Sequence, residues 1–131
     1  DVQAFLVREL SLDPAQTARY EVLVQQHRNA ADSIRRAMRS AKEEMFSQLR
    51  DEQAGDSLVV QAARRAAALS TELDLRTMAH FRDIRKLCRP DQQERFDDLL
   101  MDVARMMSAP PPPGPGGPPG PPPGFPLPPA R

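Results

Sequence analysis

Apolar residues recur along this chain at alternating steps of three and four. One stripe reads Tyr20, Leu23, His27, Ala30, Ile34, Ala37, Ala41, Met45 and Gln48 or Leu49; a second reads Val59, Ala62, Ala66, Leu69, Leu73, Thr77, His80, Ile84 and Leu87. Such steps keep one face of a helix apolar over several heptads, as in a coiled-coil seam. Charged residues, among them Arg28, Arg35, Arg36, Arg39, Lys42 and Glu43, fall on the other faces. The pattern predicts one long helix from Pro14 to about Arg50 and another from Ser57 to about Leu87. The polar stretch Arg50 to Asp56, with its single glycine, turns the chain between them, and Asp56 or Ser57 is the expected cap of the second. Val2 to Leu10 carries Phe5, Leu6 and Leu10 on one side, and Pro90 to about Met107 opens its buried face with Phe96 and Leu99. The predicted fold is all-α, a long antiparallel helical hairpin flanked by two shorter helices, four helices in all.

Two helix starts are written in the same way. Asp13 precedes Pro14 and Gln16, with Tyr20 and Leu23 beyond; shifted by 76 residues, Pro90, Gln92, Phe96 and Leu99 repeat the spacing. Proline fits the first helical position because its missing N–H has no partner there anyway. A glutamine two residues on can reach back to the free backbone donors, as in a capping box. If the turn centres near Gln53 and Ala54, facing residues on the two long helices have numbers summing to about 107. Leu49 then meets Leu58, Ala41 meets Ala66, Ile34 meets Leu73, Leu23 meets Ile84, and His27 meets His80.

Composition divides the chain. Residues 110–131 hold 13 of the 15 prolines and 5 of the 6 glycines, and the glycines fall without a period of three. Such a segment is expected to be a disordered, polyproline-like tail behind one helical domain, residues 1–109. Basic and acidic residues balance at 18 each, so the footprint of a nucleic-acid-binding surface is missing and no nucleic-acid partner is expected. The sequence has no run of 18 apolar residues. It opens at Asp1 without a Met, which leaves room for a removed signal peptide or an N-terminal anchor. Its single cysteine, Cys88, excludes an internal disulfide framework, and the common catalytic and phosphate-binding motifs do not occur. An enzyme is not expected. A helix of about 37 residues would run to about 55 Å, too long for the core that 109 residues can provide. Met38, Met45, Phe46, Leu58, Val60 and Leu75 are left as surplus apolar residues. They point to a homodimer or to a surface that binds other chains.

His27 and His80 are the only histidines, and the register sets them at one level. Two imidazoles there could share a transition-metal ion such as zinc, nickel, cobalt or copper. The alternative is a structural pair of partly buried polar residues. Cys88 stands just before a helix start, where a small buried side chain packs under a turn; an intersubunit disulfide or a thiolate ligand is the alternative.

The string His80-Phe81-x-x-Ile84-Arg85-x-Leu87-Cys88-x-Pro90-x-Gln92-Gln93-x-x-Phe96, together with Leu12 to Gln16, resembles the bacterial LTxxQ superfamily (Spy/CpxP-like) over roughly Phe5 to Met107. The likeness is strongest to its periplasmic heavy-metal-resistance sensors (CnrX/ZraP-like). The resemblance implies a periplasmic, hooked helical hairpin that dimerises. Asp13 stands where the family usually has Thr, and so does Arg89. In the family's nickel and cobalt sensors a His on the third helix is followed four residues later by a Met ligand; His80 matches the His, and Ile84 stands at the Met position. The expected function is heavy-metal or envelope-stress sensing, with a membrane-bound signalling partner. The alternative is an ATP-independent chaperone that holds unfolded protein clients. A membrane anchor would suit the first, a cleaved signal peptide the second.

Overall fold

The computed structural model describes residues 1–109 and Pro115. The expected tail, 110–131, otherwise lies outside the described residues. Among the described residues four α-helices follow one another: α1 (Val2–Leu10), α2 (Pro14–Ser47), α3 (Ser57–Leu87) and α4 (Pro90–Ser108). A 3-10 turn, Gln48–Arg50, continues α2, and the described residues contain no strand.

The helix starts follow from their residues. Asp13 is extended (φ −71°, ψ 169°), its carboxylate accepts from the Gln16 backbone N–H at 2.7 Å, and the Gln16 side-chain oxygen accepts from Asp13 N–H at 3.0 Å. That is a complete capping box around Pro14. At α4 only the reciprocal half forms: Arg89 N–H donates to Gln92 Oε1 at 2.8 Å, since arginine has no acceptor to offer. At α3 the expected side-chain cap does not form. Asp56 holds the cap position in a helical conformation (φ −71°, ψ −10°), so its backbone carbonyl takes the Val60 N–H at 2.9 Å while its carboxylate caps nothing. The turn out of α1 is made by Ser11, left-handed at φ 52°.

α2 and α3 pack along each other. Gln16 reaches the Leu87 carbonyl, His27 lies against His80 and Thr77, and Glu44 pairs with Arg65, so the contacts run in opposite order along the two helices. Most of the predicted stripe residues are buried or half-buried. Val24 and Ala31 are buried beside them, which widens the apolar face of α2 beyond the single seam. The end of the stripe departs from expectation: Leu49 and Leu58 are both exposed, because the 3-10 turn winds the chain more tightly and carries Leu49 off the seam.

The core sits at one end. α1 and α4 contact each other there, and Leu6, Leu10, Tyr20, Val24, Ile84, Cys88, Phe96, Leu99 and Val103 form one buried cluster drawn from all four helices and the α3–α4 turn. Away from this end the buried side chains are small: Ala31, Ala41, Ala62 and Ala66, with Ile34 the one large exception. Small residues let α2 and α3 approach closely, but they bury little area to offset ordering entropy.

Candidate functional site

Where the four-helix end gives way to the two-helix portion, α2 presents His27 and α3 presents His80. Their rings stack, with centroids 4.4 Å apart and planes 10° from parallel. The Thr77 hydroxyl donates to the Leu73 carbonyl at 2.8 Å, which leaves its oxygen as an acceptor. His27 Nε2 lies 3.1 Å from that oxygen, and with the hydroxyl proton turned to Leu73 the tautomer that fits carries its proton on Nε2. Burial holds the His27 imidazole below its ordinary pKa, with the Arg35 charge acting in the same direction. His80 is pushed down to about 4, first by burial, then by His27, with Asp83 opposing. Both rings are neutral at neutral pH.

The pair forms part of the floor of an open groove of about 200 Å³, shared with Leu23, Gln26, Arg76 and Asp83. A neighbouring groove of about 480 Å³ adjoins it through Leu23 and Gln26 and is walled by Ala18, Arg19, Val22 and Leu87. Its lining is mainly aliphatic. On the opposite side, His27 and His80 also border a smaller cavity with Tyr20, Phe81 and Met107.

The pair does not fit a shared metal ion in this arrangement. Stacked rings send their in-plane lone pairs side by side instead of toward one point. With Nε2 held by Thr77, only Nδ1 of His27 is left as a donor atom. Among the described residues no group of three His, Cys, Asp or Glu comes together as a ligand set, whereas a closed zinc site takes four ligands and an open one three.

The two motif glutamines form the second constellation. Gln16 Nε2 donates to Gln92 Oε1 at 2.7 Å, and Gln92 Nε2 donates to Gln16 Oε1 at 3.1 Å. Gln16 Nε2 also donates to the Leu87 carbonyl, and Gln92 Nε2 to the Leu10 carbonyl. Each amide thus closes its own helix start, holds the end of the helix that precedes the other's start, and binds its counterpart. Both side chains are buried, and no buried side-chain nitrogen or oxygen among the described residues lacks a partner. A model of the LTXXQ motif family protein matches residues 1–100, the stretch that contains both glutamine starts. The chain belongs to the LTXXQ motif family. No curated protein shows a significant match to it.

In this LTXXQ protein the residues at the Thr positions of the two motifs face each other: Arg89 Nη1 lies 3.5 Å from Asp13 Oδ2. The first cap thus lends its second carboxylate oxygen to the residue that cannot cap the second. Cys88 is buried, its thiol donates to the Ile84 carbonyl at 3.3 Å, and burial pushes its pKa up. That is the packing role, with no free thiol at the surface. Sequence reasoning identified each of Asp13, Pro14, Gln16, Pro90 and Gln92 as part of a helix start. It missed the embrace of the two glutamines, the Asp13–Arg89 pair and the Thr77 partner of His27. The equal 76-residue offset of both motifs was the available signal for the first.

Proposed function

We propose that this protein is a non-catalytic, periplasmic envelope-stress protein that holds unfolded polypeptide, without ATP, on the side of α2 and α3 that α1 and α4 leave open. The observation that carries this reading is the apolar groove of about 480 Å³ beside Val22, Leu23 and Leu87, together with its continuation into the histidine groove. Extended chains with apolar side chains suit a shallow aliphatic trough that is open along its length. Family membership supports the stress-related role and the periplasmic setting. Heavy-metal sensing through a membrane-bound partner draws on the family likeness, and the stacked histidines add nothing to it.

The test is light scattering of an unrelated, chemically denatured client diluted into buffer without nucleotide. Stoichiometric protein should suppress aggregation, and Val22→Asp, at a position already exposed to water, should lose most of the effect while melting as the unmodified protein does. No suppression at several-fold excess would overturn the reading. We propose also that two copies associate, through the apolar residues that the portion of α2 and α3 remote from the core leaves exposed.

A further inference from the structure

We propose that the stacked pair of His27 and His80 is a proton-operated clasp between α2 and α3: it is closed when both rings are neutral, and protonation opens it without any metal. The inference is independent of client holding. It rests on where the pair sits and on what its nitrogens already do.

The clasp lies at the junction between the four-helix core and the thin two-helix portion. On one side stand Ile84 and Val24, both buried; on the other the seam continues through Ala31 and Ile34. Across this level, the ring stack and the His27–Thr77 hydrogen bond link the two helices. The open groove brings water to the ring edges.

Protons have defined places to go. His27 Nε2 is occupied, so the next proton on that ring goes to Nδ1; His80 offers its own free nitrogen. One imidazolium over a neutral imidazole is tolerable. Two put like charges on rings whose centroids are 4.4 Å apart, in a setting that burial makes poorly solvating. The charged groups around the pair do not relieve this. α2 contributes Arg35, which opposes protonation of His27. α3 contributes Asp83, which favours protonation of His80, and Arg76, which lines the same groove. α1 brings Val2, Gln3 and Leu6 to the cavity behind the pair and α4 brings Met107, none of them titratable.

The sign follows from linkage. Both folded-state values lie below the ordinary histidine value of 6.5, that of His80 at about 4. Below about pH 6.5 the unfolded chain therefore binds protons that the closed pair does not, and stability falls as pH drops toward 4. Glu9 and Asp97, held below their ordinary 4.5 and 3.8 by Arg95 and Arg85, also release stability in acid, but only below those values. The window from about 6.5 to 4.5 thus reports on the histidines.

The experiment combines NMR titration of the histidine ring protons with melting and amide-exchange measurements between pH 7.5 and 4.5. Expected are a flat Tm above 6.5, a fall below it, and faster exchange at residues 24–31 and 76–84 in the same window. His80→Phe, which keeps a ring on His27, should remove at least half of the fall, and His27→Gln with His80→Phe nearly all of it. A fall that persists unchanged in the double variant would overturn the clasp. So would saturating Zn²⁺ that raises the Tm of the unmodified protein but not of the double variant. Should that variant not fold, the titration of the unmodified protein decides: both rings titrating at 6.5 or above would overturn the proposal.

Discussion

Gln16 and Gln92 show how much can depend on two neutral side chains. Each amide oxygen serves a helix start and the opposite glutamine, and each amide nitrogen serves a helix end and the opposite glutamine. Removing one leaves several buried donors and acceptors unpaired, each at roughly 1–3 kcal/mol. Gln92→Ala should therefore destabilise by about 3 kcal/mol in urea unfolding. Because Gln16→Ala breaks the same two amide–amide hydrogen bonds, the double variant should fall short of the sum of the singles by about 1 kcal/mol or more; strict additivity would show that the two amides act separately. The sequence made each cap legible, because a cap is local: proline, glutamine and the following apolar residues lie within one turn. The embrace was not legible. Nothing in either motif states that the two starts lie back to back, and that depends on α1 and α4 packing together at the core end. The Asp13–Arg89 pair was hidden for the same reason, since the two residues belong to starts 76 residues apart. With both side chains about half exposed, the pair adds on the order of 0–1 kcal/mol at most, and its use is in fixing the relative position of the two starts.

At the scale of elements, the boundaries were readable because the punctuation was strong. α1 and α3 span the expected residues, and proline opens α2 and α4. The register of α2 against α3 could also be derived, because small residues and two histidines recur at matching heights, and the stack of His27 on His80 bears out a sum of 107. Two departures share a cause. The register pairs Leu49 with Leu58, and the pattern expects Asp56 or Ser57 to cap α3, yet these residues sit beside the turn, where backbone conformation outranks side-chain pattern. Ser11 is a third feature the pattern could not show: a non-glycine residue at φ 52° ending α1. Left-handed backbone costs an L-residue roughly 1–2 kcal/mol, and glycine returns part of that gain through its greater freedom when unfolded. Ser11→Gly should raise stability by about 1 kcal/mol, seen as a higher urea midpoint at an unchanged slope. A lower midpoint would mean that the serine side chain contributes more than its backbone costs.

At the scale of the molecule, the imbalance between the two ends of α2 and α3 bears on assembly. α2 alone has 34 residues, roughly 50 Å of helix, and the large buried side chains it gives to the core, Tyr20 and Val24, come from its first third. Farther along, the seam is mostly alanine, while Phe46, Leu49, Leu58 and Leu75 stand in water. A second copy laid against this portion would supply the layer that α1 and α4 supply at the other end, and a stable pair would bury at least about 1,200 Å² in total. Sedimentation at tens of micromolar should then give about twice the chain mass of 14.6 kDa. Phe46, 72 % exposed in the single chain, can be changed without touching the monomer's core. Phe46→Lys should therefore move the protein toward monomer while its far-UV spectrum at high dilution matches that of the unmodified protein. A single 14.6 kDa species of the unmodified chain at those concentrations would refute the dimer. A variant that sediments with an undiminished dimer mass would place the contact away from Phe46 and overturn its part in the interface. Association also bears on the clasp: a partner gripping both helices beyond His27 and His80 would oppose their separation. The fall in Tm below pH 6.5 should then steepen on dilution through the dimer's dissociation range, a coupling that a monomeric chain has no means to produce.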